Sequence, residues 1–326
     1  MDVIKTKLKS LYRHPAVYLL TFLFLVPTFL HSPYWLHVMI MASLYAILAI
    51  SWDLLAGYCG QVSFGNAGFY GIGAYVSALL ALRGISPWLS LLLGSLVAMA
   101  FGVLIALPCA RLSGAYLAVA SIGFGQITYL ILLNWVEVTR GSLGLGSIPS
   151  FPLVPYTKVF YYYLILSFFS LILFIEYKIV RSNMGLKFRA IRDDELLASI
   201  MGINTMLYKV LAFAIASFFA GLAGGFSAHF LTVISPESAH ISVTAISVAM
   251  ARIGGTGTLL GPAIAAFGLM IAPELLRDIS PYFRILLVGI LLVAIMKIAP
   301  EGILPRLSRI YKRYIERERA PSQVPK

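Results

Sequence analysis

Side chains able to do chemistry are few and scattered in this 326-residue chain. Ser121 and His229 would act as nucleophile and base only if folding brought them together, and no Ser/His/Asp arrangement is recognisable. His229, Glu237 and His240 carry metal-type donors, but their spacing is loose and no metal site is expected. Cys59 and Cys109 lie in apolar surroundings with no second cysteine or histidine at ligand spacing, which argues against a disulfide framework and a zinc site. No phosphate loop of the G-x-x-x-x-G-K-[ST] type occurs: "GGTGTLLG" at 254–261 lacks the lysine, and "GIGAY" at 71–75 is too short for a dinucleotide fingerprint. If ATP drives this protein, another chain must bind it.

Two groups of residues remain. The first is "RAIRDDELLASIMGIN", residues 189–204, where Arg189, Arg192, Asp193, Asp194 and Glu195 cluster in a chain that is only 12% charged. The preceding "SNMGLKFRAIR" predicts a short helix capped by Ser182 or Asn183. "DDELLASIMG" predicts a second, with Asp193 as N-cap, Asp194 and Glu195 in its first turn, and Gly202 at its end. Leu186, Ala190, Leu197 and Met201 are expected to share an apolar side. A helical pair that mixes apolar and charged groups in this way is a docking element, with Leu197 and Met201 as anchors. Asp193 and Asp194 either cap the second helix or pair with basic groups on a partner.

The second group is "GQVSFGNAGFYGIGAYVSA", residues 60–78. Gly65, Gly68, Gly71 and Gly73 permit close backbone approach or a broken helix, and Gln61, Ser63 and Asn66 could line a path. The competing reading is a helix-packing seam with polar cross-links. Gln126 and Asn134 carry the same two readings. Asp53, beside Trp52, is a membrane-site candidate by its charge, or else faces water or pairs with a loop arginine.

The elements that must position these residues follow from composition. Hydrophobic residues make up 60% of the chain, and the mean hydropathy is +0.90. These values leave too little charge for a soluble surface and predict an all-α integral membrane protein. Apolar stretches approaching bilayer width fall at 16–31, 35–56, 61–82, 88–110, 113–134, 158–180, 205–231, 241–253, 258–273 and 284–299. The whole chain, 1–326, therefore reads as one polytopic domain of about ten spans. The eighth and ninth are short enough to be tilted, broken or re-entrant. The basic N-terminal stretch before the first span resembles a signal peptide without its cleavage site, and reads as a retained first helix.

With the N-terminus inside, 20 of the 25 basic residues fall on the inner side, and only Arg83, Arg140, Lys158, Arg277 and Arg284 fall outside. That bias predicts cytoplasmic termini, a cytoplasmic loop at 181–204 and a basic cytoplasmic tail at 305–326. The net charge of +12 is thereby assigned to membrane topology, with no nucleic-acid partner. The 135–157 connection, with Gly141, Gly144, Gly146, Pro149, Pro152 and Pro155, reads as an irregular, exposed outer loop. No convincing internal repeat is found.

Three segments carry a family pattern: "LLAGYCGQVSFGNAGFYGIGAYVSALL", "MGLKFRAIRDDELLASIMGIN" followed by "AFAIASFFAGLAGG", and "ARIGGTGTLLGPAIAA". In this order, from about residue 40 to 305, the chain resembles LivM-like permeases of branched-chain amino acid ABC transporters. The resemblance implies an importer permease of the cell inner membrane, not an enzyme. It implies a heterodimer with a second, LivH-like permease, two ATPase subunits carrying ATP-Mg, and an extracytoplasmic solute-binding protein. No cofactor is expected on this chain. The resemblance makes 181–204 the ATPase-coupling loop, with Gly185, Arg189, Arg192, Asp193, Asp194, Glu195, Leu197, Met201 and Gly202 as its candidates. Gln61, Ser63, Asn66, Gly68 and Gln126 are the translocation-path candidates. Related permeases carry urea or short amides, so these stand as alternative substrates. An ion-coupled secondary carrier is a more distant alternative, because it would want paired carboxylates at mid-membrane, whereas the acidic residues here fall at span ends and in loops.

Overall fold

The computed structural model describes residues 15–29, 32–152, 158–275, 289, 297 and 302–306. Its described residues are helical apart from turns and one isolated β-bridge. The helices are α1 (Pro15–Phe29), α2 (Pro33–Asp53), α3 (Asn66–Leu82), α4 (Pro87–Cys109), α5 (Gly114–Asn134), α6 (Lys158–Arg181), α7 (Asn183–Asp193), α8 (Glu195–Ile200), α9 (Thr205–Leu231), α10 (Ile241–Gly254) and α11 (Gly261–Leu275). Prolines at the first turns of α2 and α4 follow Ser32 and Ser86, where the missing N–H costs no hydrogen bond. α2 continues into a π-helical turn, Leu54–Tyr58.

Among the described residues, five helices are long and apolar enough to cross a membrane: α2 with its π turn, α4, α5, α6 and α9. The first nine expected spans all correspond to helices. The tenth, 284–299, lies outside the described residues but for 289 and 297, as does most of the 305–326 tail. One expected boundary moves by five residues. The third span begins at Asn66 instead of residue 61, because residues 60–65 are non-helical and mostly buried. α10 is preceded by the one-turn helix Pro236–Ala239, which packs against α3. At 17 and 14 residues, α3 and α10 rise about 26 and 21 Å, less than the ~30 Å apolar core.

α2 and α9 form the centre of the bundle. Their apolar windows are 89% and 78% buried, against 28% for α5. α9 packs chiefly on α3 and α4, and α2 on α6, α10 and α11. Small residues allow the first of these arrangements. A Cβ at Gly73 would collide with the Gly221 backbone, one at Gly224 with the Tyr70 carbonyl, and one at Gly102 with the Ser217 side chain. Adding those atoms would force three helices apart.

At one end of the bundle the 135–152 and 232–240 loops meet. Leu145 and Ile234 exchange backbone hydrogen bonds of 2.9 and 2.8 Å, and Ile148 N donates to Thr232 O. The loop expected at 135–157 is irregular and exposed over much of its described part, but not all of it lies on the surface. Ile148 and Phe151 are buried, the latter among Trp88, Tyr161, Phe226 and His229. An aromatic ring seated in that cluster orders the loop that carries it.

Candidate functional site

The helical pair at 181–204 forms much as its sequence predicts. Ser182 Oγ accepts from Met184 N at the start of α7. The second cap is shifted by one residue: Asp194, not Asp193, precedes α8, and its Oδ1 accepts from Leu197 N at 2.9 Å. Asp193 completes α7 and pairs with Arg192 at 2.9 Å. The reason is local. Only Asp194 adopts the extended backbone (φ −158°, ψ 109°) that aims a cap side chain at the next turn. α8 ends on Gly202 at φ +82°, with Gly202 N donating to Ser199 O and Ile203 N to Ala198 O. This is the paired C-terminal closure that favours glycine.

The coupling candidates separate by direction. Gly185, Phe188, Ile191 and Ala198 are buried against the bundle. A Cβ at Gly185 would strike the Val180 carbonyl at the end of α6. Leu197 and Met201 are 57% and 82% exposed, and Leu186, Leu196 and Ile200 are exposed with them. Ala190, expected on that side, is half-buried. The result is an apolar lip on α8, open to the surroundings, above a tightly seated base.

Charged side chains hold the base in place. Arg189 Nη2 donates to Val180 O, and Lys187 Nζ to the Tyr208 hydroxyl at 2.6 Å. Glu195 pairs at 2.6 Å with Lys209, which is 1% exposed and also donates to Ala110 O at the end of α4. Removing Glu195 would strand a buried ammonium. Lys209 entered the sequence reading only as one of the inner basic residues. Its role was hidden because its partners lie 14 and 99 positions away.

The same end of the bundle contains a buried polar knot. Asp53 is 1% exposed, and its Oδ1 accepts from Gly257 N at 2.8 Å. Arg192 Nη1 donates to Gly57 O at 2.9 Å and is near enough to Asp53 to attract it. Asp53 therefore does not face water, and its direct partner is a glycine N–H beside the arginine. Glu176 on α6 is also fully buried. Neither of its oxygens, nor Asp53 Oδ2, has a hydrogen-bond partner among the described residues. Asp53 and Glu176 interact electrostatically. The sequence reading had placed such acidic groups at span ends, and missed that the end of α6 is covered by α7.

Gln61, Ser63 and Asn66 are all buried, and they support the non-helical entry to α3. Trp52 Nε1 donates to Ser63 O at 2.6 Å, Asn66 Nδ2 to Leu48 O at 3.1 Å, and Gln61 N to Leu55 O at 3.0 Å. A Cβ at Gly68 would lie 3.0 Å from the Phe124 ring, and Gln126 is half-buried on α5. Asn134 Nδ2 donates within its own helix, to Leu130 O.

Ser121 and His229 do not meet as nucleophile and base. Ser121 Oγ takes Phe64 N and donates to Ala118 O. The His229 ring lies against Ser77, Ser90 and the Pro149 carbonyl. Glu237 interacts with Tyr129, and His240 with Ser242. Among the described residues no group of three His, Cys, Asp or Glu side chains converges as metal ligands. The arrangement joins an exposed apolar lip through Arg192, Lys209 and Arg189 to the ends of α2, α4 and α6.

A model of the family described as the permease component of branched-chain amino acid transport systems matches residues 34–296. The chain is 34% identical over 292 residues to the high-affinity branched-chain amino acid transport system permease protein LivM of Salmonella typhimurium, covering 81% of this chain and 68% of the relative. It is 29% identical over 295 residues to the corresponding LivH protein of Escherichia coli, covering 82% of this chain and 92% of the relative. It is 23% identical over 320 residues to a probable LivM of Methanocaldococcus jannaschii. No solved structure matches the chain.

Proposed function

The chain belongs to the family of permease components of branched-chain amino acid transport systems, and from that premise we propose that it is the membrane subunit of an ATP-driven importer of branched-chain or related amino acids. It spans the inner membrane about ten times with both termini, the 181–204 loop and the basic 305–326 tail in the cytoplasm. Similarity to both LivM and LivH supports a heterodimer of two related permeases. A solute-binding protein delivers the amino acid outside. Two ATPase subunits holding ATP-Mg dock inside, so this chain supplies the path and the lever but no hydrolytic chemistry.

The observation that carries this reading is the α8 lip. Leu196, Leu197, Ile200 and Met201 are 57–82% exposed on a loop whose base is held by the ion pair of Glu195 with buried Lys209. Covering a side chain of that size contributes roughly 1.5–3 kcal/mol, so a groove on an ATPase has reason to take it. Asp193 and Asp194 set register at the rim, while Gly185, Arg189, Arg192, Glu195 and Gly202 shape and seat the loop. Gln61, Ser63, Asn66, Gly68 and Gln126 flank the translocation path through α3 and α5.

The test is uptake of labelled leucine into proteoliposomes holding both permeases and both ATPases. Uptake should require ATP inside and loaded binding protein outside, and the isolated chain should hydrolyse no ATP. Uptake driven by an ion gradient without ATPases would overturn the reading.

A further inference from the structure

We propose that Arg192 is a positioning residue that pins the 181–204 loop to the π turn at the end of α2 and to the glycine turn between α10 and α11 packed beside it, so that the three move as one unit when the ATPases close. The inference rests on the importer reading. Two segments far from α7 in sequence, the π turn that ends α2 and the glycine turn between α10 and α11, converge on this side chain. Its Nη1 donates to Gly57 O at 2.9 Å, at the π turn that ends α2. Its Nε and Nη2 hold Asp193 on α7 at 3.0 and 2.9 Å. A Cβ built on Gly257 would lie 3.2 Å from Gly57 O and 3.3 Å from Arg192 Nη1, so that turn is packed against the same guanidinium.

Glycine is required where the parts touch. Gly257 has φ +75°, and its N–H donates to Asp53 Oδ1. A Cβ at Gly57 would collide with Asp53 Oδ1, and one at Gly60 would lie 3.0 Å from Arg192 Cα. The loop therefore approaches the membrane helices backbone to backbone, with Arg192 crossing the junction. A planar guanidinium can hold Asp193 with two nitrogens and the Gly57 carbonyl with a third, which a lysine cannot reproduce. Asp53 Oδ2 is buried without a hydrogen-bond partner among the described residues. It lies at the same junction, on the carboxylate whose Oδ1 accepts from Gly257 N. Arg192 is distinct from the α8 lip: its Nη1 reaches Gly57 on the bundle, whereas Leu197 and Met201 are 57% and 82% exposed.

The experiment uses the complete reconstituted transporter. In Arg192→Ala, ATPase retention and ATP hydrolysis should persist, while amino acid taken up per ATP falls about tenfold, the scale of one coupling interaction. Arg192→Lys should recover part of that loss. Spin labels at Leu186→Cys and Thr256→Cys, both on exposed positions, report the motion directly. Trapping the ATPases with a non-hydrolysable ATP analogue should leave their separation unchanged when Arg192 is present and shift it in Arg192→Ala. Arg192→Gln, polar and of similar bulk, takes the same measurements if the alanine variant fails to assemble. An unchanged uptake per ATP, or an equal label shift with and without Arg192, would overturn the pin. Loss of ATPase retention in proportion to uptake would instead make Arg192 a docking residue and also overturn it. Failure of the unaltered chain to retain any ATPase would overturn the importer reading itself.

Discussion

In the seam of α3, α4 and α9, backbones approach so closely that a single added carbon at Gly73 or Gly224 meets another helix's main chain. In the 181–204 loop, α7 and α8 rest on the bundle through Phe188, Ile191 and Ala198 and through the Glu195–Lys209 ion pair, leaving Leu196, Leu197, Ile200 and Met201 uncovered. Both regions are rich in short-range sequence signals, and both are helical. They differ in what substitution would remove. The seam has no spare volume and no spare function, so damage there is damage to the fold. The loop divides its residues between an inward face that fixes it and an outward face whose loss costs the isolated chain nothing.

Substitution tests should separate the two regions, and the largest effect belongs to the seam. Gly73→Leu should abolish stable assembly, seen as loss of monodisperse protein in detergent, whereas Gly68→Ala should cost far less, because the atoms nearest its Cβ are the Phe124 ring at 3.0 Å and Gly125 Cα at 3.3 Å, with no main-chain collision. A folded Gly73→Leu protein of normal thermal stability would refute the tight-seam account. Next comes the base of the loop. Glu195→Ala should destabilise by roughly 3 kcal/mol or more, since it strands buried Lys209. Lys209→Met should cost less, because the carboxylate left behind is 41% exposed. Thermal denaturation of the two variants gives the order, and the reverse order would mean that the pair is not what seats α8. The smallest effect concerns the caps. Asp194→Ala should lose about 1 kcal/mol. Asp193→Ala, whose exposed ion pair is worth roughly 0–1 kcal/mol, should be close to neutral in stability. Protease sensitivity of the loop distinguishes them.

Elements with local causes were legible in the sequence. Long apolar runs mark the membrane helices, and Ser182 or Asn183, Asp193 and Gly202 place the bounds of α7 and α8 within one or two residues. The Asp193 assignment slipped because two adjacent aspartates are chemically equal caps, and only the backbone bend decides between them. The late start of α3 was not legible. The glycines and polar residues of 60–65 permit a break without fixing where the helix starts, and their irregular path is stabilised by Trp52, Ser121 and Leu48, which sit on other helices. Burial of Lys209 and Glu176 was invisible for the same reason: a charge near a span end reads as solvent-facing until another element covers it. The two-faced character of the loop was only half legible, since its composition showed apolar and charged residues together but not which ones the bundle would cover.

The most direct measurement is ATPase retention on a chain carrying Leu196→Ser, Leu197→Ser, Ile200→Ser and Met201→Ser together. All four side chains are exposed and none takes part in seating the loop. The purified variant should therefore unfold at the same temperature as the unaltered chain, yet retain less than about a tenth of the ATPase, as expected when a cluster of apolar anchors is removed. Equal unfolding temperatures with full ATPase retention would contradict the assignment of the α8 lip as the docking surface.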